Sequence, residues 1–165
     1  MAFIEFQNVC KTYKMGEVEI HALQGVDFEI EKGECCVIVG ASGAGKTTIL
    51  NILGGMDKPT SGQVMYKDDD ITKYKEKDMA DIRVNEFGFV FQRHFLVPYM
   101  SALDNVTVAA TKHEKETIDK ARELLKGFGL GEREISKRPS KLSGGQRQRT
   151  AIARAMINEP KVLFA

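Results

Sequence analysis

The residues best suited to chemistry lie in one run, Gly40–Thr47, which reads Gly-Ala-Ser-Gly-Ala-Gly-Lys-Thr. The run fits the phosphate-binding pattern G-x-x-x-x-G-K-[ST]. Glycines let backbone N–H groups turn inward around phosphate oxygens, and the start of a following helix adds partial positive charge. We therefore expect Lys46 to reach the β- and γ-phosphates of a nucleotide and the Thr47 hydroxyl to bind Mg²⁺. The alternative is a glycine-rich turn that binds no ligand.

The residues on either side of this run predict the elements that position it. Cys35–Val39 is continuously apolar, as expected of a strand buried on both faces. Thr48–Leu53 carries apolar residues at helical spacing, and Gly54–Gly55 is expected to end that helix. The following residues, Pro59–Gly62, are typical of a loop. The glycine-rich run is thus predicted to connect a buried strand to a helix.

The first thirty residues alternate between apolar and polar side chains, which is typical of strands with one buried face. The apolar positions fall in three runs: Ile4 and Phe6; Val18, Ile20 and Ala22; and Val26, Phe28 and Ile30. Three half-buried strands in a row predict an antiparallel sheet with one solvated face. Asp68–Asp70 favours a polar hairpin turn over a metal site, because adjacent carboxylates in an extended chain diverge.

Strand and helix patterns continue to the end of the chain. Further strands are predicted at Val64–Tyr66, Phe87–Phe91 and Val162–Ala165, and the charged stretch Lys67–Arg83 is expected on the surface.

Between these strands the sequence predicts helices. Thr111 and Glu114 fit a capping box, and Gly129 fits a C-terminal stop. Between them the apolar positions recur at helical spacing: Ile118, Ala121, Leu125 and Phe128. A second helix, which ends near Pro160, is expected to place on one face Ile152, Ala155 and Met156.

Composition narrows the class of protein. The 165 residues are 42% hydrophobic and carry a formal net charge of +1, so no global charge attracts nucleic acid or an anionic membrane. No apolar run approaches the ~18 residues of a membrane span, and Met1 is followed by no leader pattern. The chain is therefore expected in the cytoplasm or on the cytoplasmic face of the membrane. Cys10, Cys35 and Cys36 are interpreted as reduced packing residues.

Three further motifs occur in the order that one family shows. Leu142-Ser143-Gly144-Gly145-Gln146, followed by Arg147-Gln148-Arg149, closely resembles the signature of ATP-binding cassette (ABC) proteins. Gln92, at the end of Phe-Gly-Phe-Val-Phe-Gln, is similar to the family's Q-loop glutamine. Tyr13 occupies the place of the family's adenine-stacking aromatic residue. On these motifs, which span nearly the whole chain, it is identified as a member of the ABC ATPases.

The resemblance implies a role for each matching residue. The expected nucleotide-binding residues are Tyr13, Gly40, Ala41, Ser42, Gly43, Ala44, Gly45, Lys46, Thr47, Thr48 and Gln92. The expected Mg²⁺ ligands are Thr47 and Gln92. The signature residues expected to act on the ATP of the opposite subunit are Leu142, Ser143, Gly144, Gly145 and Gln146. Three structural alternatives remain for individual residues: Tyr13 packing on the sheet, Gln92 as a polar strand end, and Ser143 as a helix cap.

The implied fold is α/β: a P-loop NTPase core with an N-terminal antiparallel β subdomain and an inserted helical subdomain. We expect the β subdomain and core in residues 1–91, the helical subdomain in 92–146 and the return to the core in 147–165. Val162–Ala165 resembles the Walker B strand, and the family's Asp, catalytic Glu and switch His fall after Ala165. The chain is thus expected to be C-terminally truncated, with no catalytic residue of its own, and to bind ATP without hydrolysing it.

The implied function is that of an ATP-binding subunit of a transporter, with ATP and Mg²⁺ as cofactors. The implied partners are a transmembrane permease subunit and a second ATP-binding subunit in an ATP-sandwiched homodimer. The Phe95–Met100 segment is expected to contact the permease, although it also suits the chain's own core. The macrolide-export and lipoprotein-release group is the most similar, on the run Ile-Leu-Gly-Gly-Met-Asp-Lys-Pro-Thr-Ser-Gly at 52–62 and on Phe-Val-Phe-Gln at 89–92 with the downstream Leu96-Val97-Pro98. An importer ATPase and a non-hydrolysing binding module are the alternatives.

A nucleic-acid partner is disfavoured. Arg147, Arg149 and Arg154 suggest a basic stripe, but without interleaved aromatic residues they are interpreted as solvated helix positions. An ABC protein of translation or DNA repair is disfavoured because the chain has no tandem repeat.

Overall fold

The computed structural model describes residues 2–165, and the chain divides after residue 80 into two compact units. No helix among residues 2–165 combines the length and the apolar character needed to cross a membrane. The predicted subdomain boundaries after residues 91 and 146 stay a prediction.

The first unit is built on a four-stranded sheet with the strand order β2-β1-β3-β4. Its strands are β1 (Ile4–Met15), β2 (Val18–Ile30), β3 (Ser61–Tyr66) and β4 (Asp69–Asp70), and its helices are α1 (Lys46–Leu53) and the start of α2 (Glu76–Asn85). All neighbouring strands are antiparallel. The predicted antiparallel sheet is therefore confirmed. The residues that form its core include Ile4, Phe6, Val9, Leu23, Ile52, Leu53, Val64 and Tyr66.

The two strands predicted within residues 18–30 form one strand, β2. Near its end, Val26, Phe28 and Ile30 are half-buried as expected, and the Phe28 ring stacks on Phe6 with 4.5 Å between centroids. Near its start the prediction is wrong, because Val18 and Ile20 are 61% and 47% exposed. These residues follow the Gly16–Glu17 turn, at the end of the hairpin away from the core.

The expected buried strand at Cys35–Val39 is also not found. The segment has no regular structure, and Val37 and Val39 are 75% and 83% exposed. Among the described residues no strand pairs with it, so its backbone groups have no ladder to join. Cys35 and Cys36 are consequently exposed rather than packed. Cys10 is half-buried, and its Sγ accepts from the Gly25 N–H at 3.1 Å.

The helix after the glycine-rich run and the hairpin after β3 agree with the sequence. α1 ends at Leu53 and the Gly54 N–H bonds to the Leu50 carbonyl. Asp69 and Asp70 pair with Tyr66 and Met65 across a tight turn. Asp70 then accepts from the Thr72 N–H at 3.1 Å and pairs with Lys73 at 2.9 Å. The carboxylate run is thus a capped hairpin, as predicted.

The second unit pairs two short parallel strands, β5 (Phe87–Phe89) and β6 (Val162–Phe164). β5 ends two residues before the predicted strand end at Phe91. The helices are α3 (Ala102–Thr107), α4 (Lys115–Gly127), α5 (Glu132–Ile135) and α6 (Gly144–Met156). Their shared core comprises Ala102, Val106, Ala110, Ala121, Leu125, Leu130, Ile135, Leu142, Ala153 and Ile157.

The predicted helix around 118–128 ends as expected but begins differently. Gly129 has φ 79°, its N–H bonds to Lys126 O at 2.8 Å, and the Leu130 N–H bonds to Leu125 O at 3.0 Å. These bonds form a Schellman motif, which confirms the glycine stop. The Thr111–Glu114 capping box is wrong, because Glu114 itself is the N-cap and makes no side-chain cap bond.

α6 differs from its prediction at two points. The buried residues are Thr150, Ala151 and Ala153, whereas the predicted trio Ile152, Ala155 and Met156 is only half-buried. Arg154 is not a solvated position. Its guanidinium is half-buried and donates to His94 O at 2.6 Å and Phe95 O at 2.7 Å.

Candidate nucleotide-binding site

The glycine-rich run forms a loop whose backbone conformation requires glycine at particular positions. Gly43 and Gly45 have φ 81° and 86°, in the left-handed region. A Cβ at Gly45 would lie 2.6 Å from Ala22 O and 2.8 Å from Leu23 Cδ2. The start of α1 is therefore held directly against β2, and only glycine fits at this point.

Lys46 places its ammonium group inside this loop. Its Nζ donates to the carbonyl oxygens of Gly40 and Ala41, both at 2.7 Å. The Ala44 N–H bonds back to Ala41 O at 3.2 Å, which closes the turn. The loop thus encloses a positive charge held by oxygens of its own backbone.

The first turn of α1 adds to this positive charge. It contains Lys46, Thr47 and Thr48 and no acidic residue. The first N–H groups of a helix have no partner within the helix and carry partial positive charge. Residues 40–44 are exposed, so the loop and the helix start are accessible to a ligand. Their donor set fits a multiply charged phosphate group.

Tyr13 lies on β1 and makes contacts that the sequence did not indicate. Its hydroxyl donates to Asp57 Oδ2 at 2.8 Å. Lys11 Nζ lies 2.6 Å from Asp57 Oδ1 and 4.8 Å from the centre of the Tyr13 ring. Lys11, Tyr13 and Asp57 therefore form one cluster, named the Tyr13 cluster below. Ile20, exposed on β2, is the register partner of Tyr13.

The charges of the Tyr13 cluster stabilise one another. Burial raises the pKa of Tyr13, the bond to Asp57 raises it further, and the Thr48 side chain acts in the opposite direction. Burial alone would raise the pKa of Asp57, but hydrogen bonds from Lys11, Tyr13 and the Lys58 N–H, together with the charge of Lys11, hold that pKa below its usual range. At neutral pH the phenol is a neutral donor to an ionised carboxylate. Through Thr48 the cluster also touches the first turn of α1.

Lys11 and Asp57 are the members of the site that the sequence analysis missed. Asp57 lies 44 residues from Tyr13 and 46 residues from Lys11 along the chain. A local signal exists only for Lys11, which is two residues from Tyr13 on the same strand and therefore on the same face. Nothing in the sequence connects Asp57 to that face before the chain folds.

Gln92 and the signature residues lie in the second unit, and their part in nucleotide binding stays a prediction. Gln92 is exposed in a turn that follows β5. Ser143 is the N-cap of α6 and forms a capping box with Gln146, with bonds of 2.9 and 3.2 Å. The cap interpretation of Ser143 is thus confirmed. Gly144 and Gly145 are exposed, which leaves this helix start open.

Leu142 differs from its neighbours in the signature. It is 4% exposed and belongs to the helical core, and its carbonyl accepts from Arg147 at 2.6 Å. Its side chain anchors the motif rather than facing a ligand.

The site can hold Mg²⁺ only together with a ligand, such as a nucleotide, whose phosphate oxygens also bind the ion. Within residues 2–165 no group of three or more His, Cys, Asp or Glu residues is placed to hold a metal ion. Thr47 is exposed at the start of α1 and offers one hydroxyl oxygen. Mg²⁺ commonly takes few protein ligands and completes its shell with water and phosphate oxygens, so this donor set suits a metal–nucleotide complex.

Comparison with known proteins gives the family. Residues 23–165 match the family model described as ABC transporter. A lipoprotein-releasing system ATP-binding protein LolD of Idiomarina loihiensis is 44% identical over 167 residues, which cover 99% of this chain and 73% of the relative. The LolD of Syntrophotalea carbinolica is 46% identical, with the same two coverages of 99% and 73%. The predicted similarity to the lipoprotein-release group is confirmed.

Solved structures agree. The ATP-binding cassette MJ0796, in a dimeric post-hydrolysis state bound to ADP and phosphate, superposes with a TM-score of 0.89 and 42% identity, over 97% of this chain and 72% of that one. CbiO1 of Clostridium perfringens, part of the ABC transporter complex cbiONQ, gives a TM-score of 0.81 and 30% identity, over 98% and 64%. The predicted fold is confirmed. The chain belongs to the ABC transporter family, as one of its ATP-binding domains.

Proposed function

We propose that this chain binds ATP with Mg²⁺ as the nucleotide-binding subunit of a membrane transporter. The observation that carries the proposal is the geometry of the Gly40–Thr47 loop. The Lys46 ammonium donates to the Gly40 and Ala41 carbonyls at the start of α1, which carries partial positive charge. The ammonium and the helix N–H groups bind the triphosphate, and Tyr13 stacks on the base. Stacking reads no base edges, so GTP is expected to bind nearly as well as ATP.

Titration calorimetry tests the binding step. ATP and GTP, each with Mg²⁺, are expected to bind at one site per chain, and AMP is expected to bind far more weakly because it lacks the β- and γ-phosphates. Equal affinity for AMP and ATP would contradict the assignment of the loop.

We assign the Thr47 hydroxyl to Mg²⁺, and the family resemblance assigns Gln92 to the same ion. When bound, Mg²⁺ supplies charge neutralisation to the phosphate oxygens. The exposed Thr47 side chain and the N–H groups of α1 hold and orient the nucleotide around it. Manganese, which can replace Mg²⁺ and is paramagnetic, is expected to broaden NMR signals of Thr47 in the presence of ATP.

We propose that two chains bind two ATP molecules between them. The exposed start of α6, with Ser143, Gly144 and Gly145, supports this role because it presents a hydroxyl and backbone donors. A related cassette is dimeric in its solved structure. ATP is expected to increase the dimer fraction in sedimentation, and Ser143→Glu is expected to prevent that increase by placing a carboxylate opposite the phosphates.

We further propose that residues 1–165 bind ATP without hydrolysing it. Phosphoryl transfer requires a residue that orients the attacking water, in addition to groups on the phosphates and the metal. The segment Gly40–Thr48 supplies groups for the phosphates and the metal, but it contains no Asp, Glu or His that could orient water. Turnover by the purified 165-residue chain above that of a Lys46→Ala preparation would contradict this proposal.

The surface proposed to contact the permease is the apolar segment Phe95–Met100. Phe95 and Tyr99 are 62% and 70% exposed, whereas Leu96 and Val97 are half-buried. Phe91 and Phe95 also line a groove of about 300 Å³ on the second unit. Exposed aromatic residues beside a groove are typical of interaction surfaces. We place this contact on the cytoplasmic face of the membrane.

Among transporter classes, we propose the lipoprotein-release group. Two LolD relatives are 44% and 46% identical, each over 99% of this chain. The chain is therefore expected to co-purify with the permease of a lipoprotein-releasing system, and Tyr99→Ser is expected to weaken that association without changing ATP binding. Selective co-purification with an importer permease would contradict the assignment.

A further inference from the structure

The Tyr13 cluster restricts the position of the Tyr13 ring from two sides. The hydroxyl is fixed by its 2.8 Å bond to Asp57 Oδ2. One ring face is covered by Lys11 Nζ, 4.8 Å from the ring centre. A tyrosine side chain has two main torsions, so a fixed hydroxyl and a covered face leave essentially one orientation. Only the ring face opposite Lys11 is left for a stacked base.

Asp57 is itself fixed to the helix that begins at the phosphate loop. Its backbone N–H donates to Asn51 O of α1 at 3.1 Å. Its Oδ1 also accepts from the Lys58 N–H at 2.7 Å. The bond from Asp57 to Tyr13 therefore connects β1 to the far end of α1. The distance between the aromatic ring and the phosphate loop is set by this connection.

Lys11 completes the connection. Besides Asp57, its Nζ donates to Lys58 O at 2.7 Å, and its side chain is only 12% exposed. A lysine held this way loses little further freedom when a ligand arrives. Preorganised groups bind more tightly because the entropy cost of ordering them has been met during folding.

We propose that Asp57 is a positioning residue that orients the Tyr13 ring for stacking on the nucleotide base, with Lys11 supporting the opposite ring face. The inference rests on the proposed function, since it assumes that the base stacks on Tyr13. Asp57 acts through Tyr13 and touches no part of the nucleotide. Its loss weakens the contribution of the base to binding and leaves the contribution of the phosphates intact.

Two ligands separate these contributions: ATP and inorganic tripolyphosphate, each with Mg²⁺. Tyr13→Phe keeps the ring and removes the hydroxyl, and Asp57→Ala removes the acceptor. Each is expected to weaken ATP binding by about three- to tenfold, which is less than the full effect of one hydrogen bond to a charged group, because the variant loses the orientation of the ring and not a contact with the ligand. Tripolyphosphate affinity is expected to stay unchanged. The double variant is expected to be no weaker than the weaker single variant, because both remove the same bond.

Controls distinguish positioning from general damage. Asp68→Ala removes an exposed carboxylate in the β3–β4 turn and is expected to leave both ligands unaffected. Rescue is a second readout: Asp57→Asn keeps an acceptor oxygen and is expected to recover part of the ATP affinity lost in Asp57→Ala. A third readout is the ¹³Cζ NMR signal of Tyr13 without ligand. This signal is identified by its loss in Tyr13→Phe, and it is expected to shift in Asp57→Ala.

The outcomes separate this inference from the proposed function. A wild-type chain that binds neither ligand contradicts the proposed function and, with it, the inference. A wild-type chain that binds both, with unchanged ATP affinity in Asp57→Ala, overturns the inference alone. So does a parallel loss of both ligands in that variant, since the defect would then lie in the phosphate loop. Selective loss of ATP affinity, with the NMR shift, supports it.

Discussion

At the residue scale, two glycines of the phosphate loop differ in the space available for a side chain. Gly45 lies where a Cβ would approach Ala22 O to 2.6 Å, whereas a Cβ at Gly43 would meet nothing within 4 Å. Both residues have a positive φ, so the two positions share backbone strain and differ in space. The pair therefore separates the effect of conformation from that of close packing.

Gly43→Ala is expected to lower the free energy of unfolding by about 1 kcal/mol, the cost of the left-handed conformation. Gly45→Ala is expected to lower it by about 3 kcal/mol, because the methyl group also displaces β2 from the start of α1. Urea denaturation of the two variants measures the difference. Equal losses would show that the approach of Gly45 to β2 is not tight.

The Tyr13 cluster gives a pH dependence with a defined sign. The pKa of Asp57 is lowered on folding, so its contribution to stability is present above the unfolded pKa and is lost as pH falls through the folded one. The pKa of Tyr13 is raised, so its contribution is present below the unfolded pKa and is lost as pH rises through the folded one. The stability difference between wild type and Asp57→Asn is thus expected to be constant from about pH 6 to about pH 9 and to shrink in acid. Urea titrations across this range check it, and a difference that grows in acid would contradict it.

The phosphate loop was predictable from the sequence because its residues are consecutive and the type of each residue is explained by its own place in the loop. The positions of Gly45 and Lys46 in the motif are enough to predict their roles. In the structure Gly45 ends the loop and Lys46 begins α1. Lys11 and Asp57 were not predictable, because their partner relation arises only when β1 and the end of α1 come together. Leu142 was assigned with the exposed signature residues, although its apolar side chain belongs to the core.

At the element scale, two helices begin with the same device. Ser101 caps α3 with Asp104, and Ser143 caps α6 with Gln146, each through a reciprocal pair of bonds. The cap satisfies N–H groups that a helix start leaves without partners. In α6 the device also fixes the backbone that carries Gly144 and Gly145.

Ser143→Ala is expected to lower the free energy of unfolding by about 1 kcal/mol, as is Ser101→Ala, because each removes one side-chain acceptor from a helix start. ATP affinity of the isolated chain is expected to stay unchanged in both, since Ser143 is proposed to act on the partner's nucleotide. Calorimetry and chemical denaturation measure the two quantities. A loss of ATP affinity in monomeric Ser143→Ala would place this residue at its own chain's nucleotide.

Arg154 connects the end of α6 to the segment before the proposed permease surface. Its two bonds hold carbonyls of His94 and Phe95, which have φ 61° and 45° although neither is glycine. A left-handed conformation at two successive residues is unfavourable unless the surroundings impose it. Burial lowers the pKa of Arg154, but a guanidinium stays charged and its bonds remain strong.

Arg154→Ala is therefore expected to destabilise the chain by about 2 to 3 kcal/mol, and Arg149→Ala, at an exposed position of the same helix, by less than about 0.5 kcal/mol. Thermal and urea unfolding compare the two. If Arg154→Ala unfolds like Arg149→Ala, the segment 94–95 holds its conformation without the guanidinium.

The elements themselves were largely predictable where periodicity is strong, as for α1 and the β3–β4 hairpin. Cys35–Val39 was not, because an apolar run becomes a strand only when another strand pairs with it, and no such partner lies in the described residues. The start of α4 was misplaced because Thr111–Glu114 fits a capping pattern that the backbone does not use. The N–H of Thr111 instead donates to the Asn158 side chain at 3.1 Å.

At the scale of the whole molecule, the proposed function depends on one property: the loop Gly40–Thr47 binds the phosphates of ATP. Family membership explains why the motifs occur in this order, and the geometry gives each residue of the loop a physical task. A ligand that binds only the folded chain raises its melting temperature in proportion to the logarithm of its concentration over the dissociation constant.

The most direct test is the melting shift that ATP with Mg²⁺ produces in wild type, Lys46→Ala and the control Lys77→Ala. Removing the ammonium from a phosphate site is expected to cost several kcal/mol of binding, whereas a solvated lysine such as Lys77 contributes about 1 kcal/mol or less. The expected result is a clear shift in wild type and in Lys77→Ala and none in Lys46→Ala. An undiminished shift in Lys46→Ala would contradict the assignment of the loop and the function built on it.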